Sequence, residues 1–395
     1  MFVEARLLGR NCLGAEIDPL SRLISTVKAT PLDASSIDAA FEAVGETYLA
    51  TLGRVIQREP TLSVPDFPNK DYWFNDDVQG QLTALCAAIA DIEAPLVRNL
   101  FLVVFSSVII AKGPSTVANA LDIAHSRAHH VERSTVPDVW SRFSERYRRA
   151  RKAIEAFSRD ATSTVTTALA AHDARALPYR SQSVGAVVTS PPYVTAIEYP
   201  RSHKFSVWWI GHLIGATNRI YEDIQHKYIG TELVSKKDGL VLREQSTGSS
   251  TADRVARELD QVDEERARRV RRYFRDMKQA LAEALRTLAP GRPAVLVLAD
   301  SVMRGVTIPT ATCLTEIAEA LEMEGSSFQH KSTFTRVIRE RSRQLPIKRG
   351  ANGDAMHTEQ VIVLERQATR RLVTIPSLSA ETDLDDSAMP LPIAV

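Results

Sequence analysis

At 395 residues the chain has room for one large domain or two ordinary ones, and its 44% hydrophobic and 25% charged residues are typical of a globular protein. A net charge of +1 excludes a polycation that holds nucleic acid by bulk charge, so any such contact must come from local basic patches. Cys12, Cys86 and Cys313 are too far apart for a metal-type spacing, no metal site is expected, and the thiols read as reduced and buried in a cytoplasmic protein.

Residues 2–9 (FVEARLLG) have the pattern of the later part of an amphipathic helix, ended by Gly9. No signal peptide is expected, because the helical pattern starts at once. Asn11 to Ile17 reads as a strand that Asp18-Pro19 stops, and 36–58 as a helix. After the Pro-rich connection from Pro60 to Lys70, two apolar helices are predicted between Val78 and Ile110, divided near Pro95. The apolar run from Leu100 to Ala111 is too short to span a bilayer, so no membrane partner is expected. Ser141 to Phe157 is a basic helix. Val165 to Ala171 reads as a strand ending at His172-Asp173, and Val184 to Thr189 as the next strand. Residues 216–260 are polar and predicted to be irregular. Gln261 to Leu288 has the clearest helical spacing, with apolar residues at 270, 273, 274, 277, 281, 284, 285 and 288, and Pro290-Gly291 ends it. Ala294 to Ala299 is a predicted strand ending at Asp300, Thr310 to Met323 a helix, and Val361 to Leu364 a last strand.

Strands alternating with helices predict an α/β protein with a parallel, doubly wound sheet, interrupted by a helical insertion. The expected organisation is a core that starts in 1–35, an insertion over 36–150, the rest of the core over 151–366, and a disordered tail over 367–395.

Thr189-Ser190-Pro191-Pro192-Tyr193 is the most informative segment. Two prolines remove two backbone donors and fix φ, so the chain cannot continue as a ladder. A small hydroxyl and an aromatic ring then stand at the carboxyl end of a strand, where open α/β sheets bind ligands. Such a site can hold a flat ring and present acceptors to an exocyclic amine. Pro-Pro-Tyr alone also occurs in loops and in peptide ligands, but here acids stand past other predicted strands as well: Glu16 with Asp18, then Asp173, then Asp300. A carboxylate there can accept ribose hydroxyls or an adenine amine, or simply bind loop amides.

With these residues the sequence resembles the amino-methyltransferases of DNA, the N4-cytosine and N6-adenine class, in a subgroup of bacterial site-specific enzymes of restriction-modification systems. The resemblance is carried by VEARLLGRNCLGAEIDPLS (3–21), HDARALP (172–178), VVTSPPYVTAIEYPRSHKFSVWWIG (187–211), KYIGTE (227–232), VLADSVMRGVTIPT (297–310) and RSRQLPIKRGANG (341–353). It implies a Rossmann-like fold that uses S-adenosylmethionine, with Glu16 on the ribose, Asp18 close to the adenine and Asp173 on the adenine amine. Ser190, Pro191, Pro192 and Tyr193 would form the catalytic loop acting on a flipped base in double-stranded DNA. Serine in the first position implies cytosine N4 over adenine N6. Phosphate contacts are expected from Arg201 and Lys204, just after the catalytic loop, and from Arg341, Arg343, Lys348 and Arg349 in the loop 336–353, while the loop 216–260 could read sequence in the groove. The enzyme is expected at the nucleoid, in the bacterial cytoplasm.

The sequence departs from this family in one respect. There, a first strand and a turn of the Phe-x-Gly-x-Gly type precede a helix like 2–9, and none of the 17 glycines here replaces that turn. The first strand of the sheet is therefore expected to be missing. Three readings stay open: a fragment, one half of a split enzyme whose second polypeptide supplies strand and turn, or a non-catalytic DNA-binding subunit. An RNA amino-methyltransferase with the same loop is a further alternative.

Overall fold

Short apolar runs bounded by acids and prolines form strands, and runs with helical spacing form helices, over the residues that the computed structural model describes: 1–57, 62, 64–109, 111, 116–120, 130–131, 135–194, 199–216, 218–338 and 358–368. In chain order, α1 (Phe2–Leu7) leads into β1 (Cys12–Ala15), followed by α2 (Pro19–Lys28), α3 (Ala34–Ile56), α4 (Lys70–Trp73), α5 (Asp76–Ala90), α6 (Pro95–Ile109) and α7 (Val139–Asp160). Next come β2 (Thr167–Ala170), β3 (Val187–Thr189), α8 (Tyr199–Ile210), α9 (Asn218–Gln225), α10 (Lys236–Glu244), α11 (Ser250–Asp260) and α12 (Glu264–Thr287). The chain ends in β4 (Pro293–Leu298), β5 (Ser301–Met303), β6 (Val306–Ile308), α13 (Thr310–Glu319), β7 (Glu322–Met323), β8 (Ser326–Val337) and β9 (Thr358–Ala368).

The protein is mixed α/β, and its strands do not form one continuous parallel sheet. β1 and β2 pair in parallel as a separate two-stranded piece, with Cys12 opposite Thr167. A second sheet runs in the order β3-β4-β9-β8-β7: β3 and β4 are parallel, and the other pairings are antiparallel. Among the described residues, β1 and β3 each have one edge without a strand partner. Both edges leave apolar side chains open, Leu13 at 45% and Val188 at 43% exposure.

Four segments differ from the sequence expectations. Asp18-Pro19 ends β1 and also starts a helix: Asp18 caps α2 by accepting from the Ser21 amide, and Pro19 takes the first turn, where a missing N–H costs nothing. The polar 216–260 region holds α9, α10 and α11. Ser235 and Ser249 cap the latter two, and Ala252, Val255, Ala256 and Leu259 of α11 are buried. β8 is a long strand of mostly exposed, polar residues that includes Arg336, the first residue of the expected loop 336–353; residues 339–353 lie outside the described residues. The last strand is longer than Val361–Leu364, and reaches into the expected tail.

One core fills the helical block with Phe74, Leu82, Leu85, Phe101, Phe105 and Phe143, and takes in Phe205, Trp209 and Ile210 of α8. Ser106 and Ser206 meet there at 2.9 Å, a satisfied polar pair between α6 and α8. The helix that follows the Ser190–Tyr193 loop is thus set by the helical block. A second core lies between α11, α12, α13 and the strands β4 and β9. Arg366 of β9, buried, donates to the Leu288 and Arg286 carbonyls at the end of α12 and to Ser326, tying helix to sheet.

Trp209 is fully buried and packs edge-on against Phe67 and Phe74. Replacing Trp209 with Ala is expected to cost about 3–5 kcal/mol, read as a lower urea midpoint, and to loosen α8.

Candidate active site

The carboxyl ends of β1, β2 and β3 are joined by α8 and by the segment 227–231. Asp18, 1% exposed, is the centre of one cluster. Its Oδ1 accepts the Ser21 amide at 2.7 Å; its Oδ2 lies 3.0 Å from His203 Nδ1 on α8 and accepts the Tyr228 hydroxyl. Burial pushes the Asp18 carboxyl up, but the bonds from His203, Tyr228 and Ser21 outweigh it and hold the group below its usual value. Glu16 is half-buried, and its Oε1 accepts the Asp18 amide at 2.8 Å. No described residue donates to its Oε2. Burial raises the Glu16 carboxyl above its usual range.

Asp173, past the end of β2, is paired with Arg175: Oδ1 accepts from the amide and Nε at 2.8 and 3.0 Å, and Oδ2 accepts from Nη2 at 2.6 Å. Burial raises this carboxyl, and the Arg175 bonds bring it below the usual value. Arg175 also donates to the Lys227 carbonyl and meets the fully buried Asp276 at 3.0 Å. Asp300 accepts from the Ala311 amide in α13 and from Gln360.

β3 ends at Thr189; Ser190 is exposed, Pro191 buried, and Pro192 and Tyr193 half-buried. Gly230 lies against the loop: a Cβ there would sit 3.6 Å from the Tyr193 carbonyl, and its φ of +84° strains any other residue. Tyr193 donates to Glu359 Oε1 at 3.3 Å. Burial, then the Glu359 charge and hydrogen bond, raise the Tyr193 phenol above its usual value.

The structure therefore brings Glu16, Asp18, Asp173 and the Ser190–Tyr193 loop to one end of the strands. Of the three acids, Glu16 alone has an oxygen to which no described residue donates; Asp18 and Asp173 already hold internal partners. Arg201 pairs with Glu232 at 3.2 Å. Lys204 is turned to the helical block, with Nζ 5.7 Å from the Trp73 ring centroid, 4.9 Å from Phe205 and 5.6 Å from Trp208. Burial lowers its ammonium below the usual range. Trp208 stacks on Phe67, and Tyr72 on His130, so these aromatics serve packing contacts. Arg341, Arg343, Lys348 and Arg349 lie outside the described residues. Arg175, Tyr228, Asp276 and Glu359 were not singled out by sequence. Their signal is spatial, since each meets its partner across a long sequence separation or from another element.

No group of three potential metal ligands occurs among the described residues, and none of the described helices is long and apolar enough to cross a membrane. Compared with known proteins, the chain is 22% identical over 381 residues to the Type II methyltransferase M.MvaI of Kocuria varians, a stretch covering 92% of this chain and 81% of that one. No family model and no solved structure matches.

Because the folded Asp18 carboxyl lies below the ordinary 3.8, the stability it adds is complete above that value and is lost as pH falls through the folded value. Asp18→Asn is expected to cost about 2 kcal/mol near neutral pH. Urea midpoints measured against pH should show the gap between wild type and variant closing in acid; a gap of constant size would contradict the assignment.

Proposed function

We propose that this chain methylates an exocyclic amine of a base in double-stranded DNA, cytosine N4 in preference to adenine N6, as part of a Rossmann-like core that uses S-adenosylmethionine. The observation that carries this reading is the convergence of the Ser190–Tyr193 loop with the acids that follow β1 and β2. The similarity to a Type II methyltransferase along 92% of the chain supports it.

The chemistry follows from what these side chains can do. A base inside a duplex must flip out to be reached, at about a few kcal/mol. Tyr193 would stack on it, an interaction of about 1–3 kcal/mol. The Ser190 hydroxyl and the Pro191 carbonyl would accept from the amine and orient its lone pair. S-adenosylmethionine supplies an electrophilic methyl group when bound. Ser190 and Pro191 would hold the amine nitrogen toward that methyl group, and one amine proton would pass to water as the nitrogen is methylated. No cysteine is needed, which accords with the burial of all three thiols and with Cys86 and Cys313 pushed up to about 12. The Glu16 Oε2 fits a ribose hydroxyl; Asp18 and Asp173 would act by holding the loops around it. The DNA substrate puts this work in the bacterial cytoplasm.

The edges of β1 and β3 that have no strand partner among the described residues favour a second element of this reading: another polypeptide supplies a parallel strand and a glycine turn. Their exposed apolar residues, Leu13 and Val188, support that. On this reading the chain alone binds S-adenosylmethionine weakly in calorimetry, and tight binding by the chain alone would remove the need for a partner strand.

Methylation is tested on the chain co-expressed with the reading frame upstream of Met1, by mass spectrometry of nucleosides from incubated DNA. N4-methylcytosine is the expected product, and N6-methyladenine alone would overturn the choice of cytosine. Tyr193→Ala should abolish transfer with the unfolding midpoint kept; full activity in that variant would sink the proposal.

A further inference from the structure

Stacking on a base needs only the ring of Tyr193, yet its hydroxyl is anchored. It donates to Glu359 Oε1 at 3.3 Å, across a sequence separation of 166 residues. Glu359 stands at the start of β9, directly opposite Arg336 in the β8–β9 ladder. Its second oxygen, Oε2, accepts from Arg336 Nε at 3.1 Å and from Nη2. The Glu359 side chain is 14% exposed and that of Arg336 66%, so the carboxylate is shielded while its counter-charge lies at the surface. The next residue, Gln360, reaches Asp300 after β4 at 3.4 Å. The start of β9 thus touches the segments that follow β3 and β4. Gly230 lies against the Tyr193 carbonyl, 3.6 Å from where a Cβ would stand. The backbone is packed by one element and the hydroxyl end is hydrogen-bonded by another, which restricts the rotation of the ring.

We propose that Glu359, oriented by Arg336, is a positioning residue that sets the plane of the Tyr193 ring. This rests on the reading of Tyr193 as the residue that stacks on the target base. An aromatic platform held in one orientation loses less entropy when a base settles on it. Two oxygens with separate partners suit such a role, since one takes the phenol and the other fixes the carboxylate against rotation.

The test uses the full chain with 3-fluorotyrosine at position 193, read by fluorine NMR. In the wild type the phenol should titrate above free fluorotyrosine. Glu359→Ala should move its resonance and bring its titration down, Glu359→Gln should restore part of the resonance position because its amide oxygen still accepts, and the exposed Arg336→Ala should shift it less in the same direction. An unchanged resonance and titration in Glu359→Ala would overturn the positioning role whether or not the protein methylates DNA. In the transfer assay, Glu359→Ala and Tyr193→Phe should each lower kcat about tenfold, with KM for DNA kept within about twofold. The double variant should be no worse than either single one. Additive losses would overturn the coupling. A fluorine shift in a protein with no transfer at all would uphold the positioning and sink the proposed reaction.

Discussion

The burial of the Asp18 carboxylate constrains everything around it. An ion with so little water contact must have partners on every side, or the chain would have to protonate it. One partner is local, the Ser21 amide of the helix that Asp18 caps; the other two come from distant elements, His203 from α8 and Tyr228 from the segment before α10. Satisfying one charge therefore draws two distant stretches to the same strand end. α8 cannot shift without exposing His203's partner, and α8 is itself locked into the helical block through Phe205, Trp209 and the Ser106–Ser206 pair. The loop between β3 and α8 is held from both ends.

A second buried charge works in parallel. Asp276, fully buried on α12, faces Arg175, Arg272 and Arg275, and Arg175 passes the constraint on to Asp173 and the Lys227 carbonyl. The segment 227–231 therefore belongs to both clusters: Lys227 to that of Asp276, Tyr228 to that of Asp18. Gly230 in the same segment lies on the Ser190–Tyr193 loop. The loop's position follows from two charge networks and not from the strength of β3, which is short and half open.

Much of this was legible in the sequence where a residue's pattern is local. The helical spacing of α12, the apolar helices around Pro95 and the abrupt strand end at Ser190-Pro191-Pro192-Tyr193 all act through neighbours along the chain. Asp18-Pro19 was legible only as a stop, because the same pair ends a strand and opens a capped helix, and Ser21 decides the second role. α10 and α11 were hidden by polarity: their apolar faces are narrow, and serine caps resemble loop residues until the helix beyond them is recognised. β8 is polar on both faces because β9 satisfies its backbone and only its first residues reach the core. The distant partners, His203 and Tyr228 of Asp18 and Glu359 of Tyr193, had no local signal. Nothing in the spacing of Asp173 and Arg175 distinguishes a closed pair from an acid left open to a ligand.

The two charge networks also explain how a split sheet can keep ordered carboxyl ends. A parallel strand normally derives its stability from burial on both faces and ladders on both edges. Among the described residues, β1 and β3 each have a ladder on one edge only, and Leu13 and Val188 remain exposed. Order at their carboxyl ends comes from elsewhere: Asp18 is held by the Ser21 amide, His203 and Tyr228, Glu16 meets the Asp18 amide, and the Ser190–Tyr193 loop meets Gly230 and Glu359 of β9. A strand added at either free edge would gain a ladder and cover apolar surface without replacing any of these contacts. This end of the strands is thus held by charges and hydrogen bonds to other elements more than by its ladders.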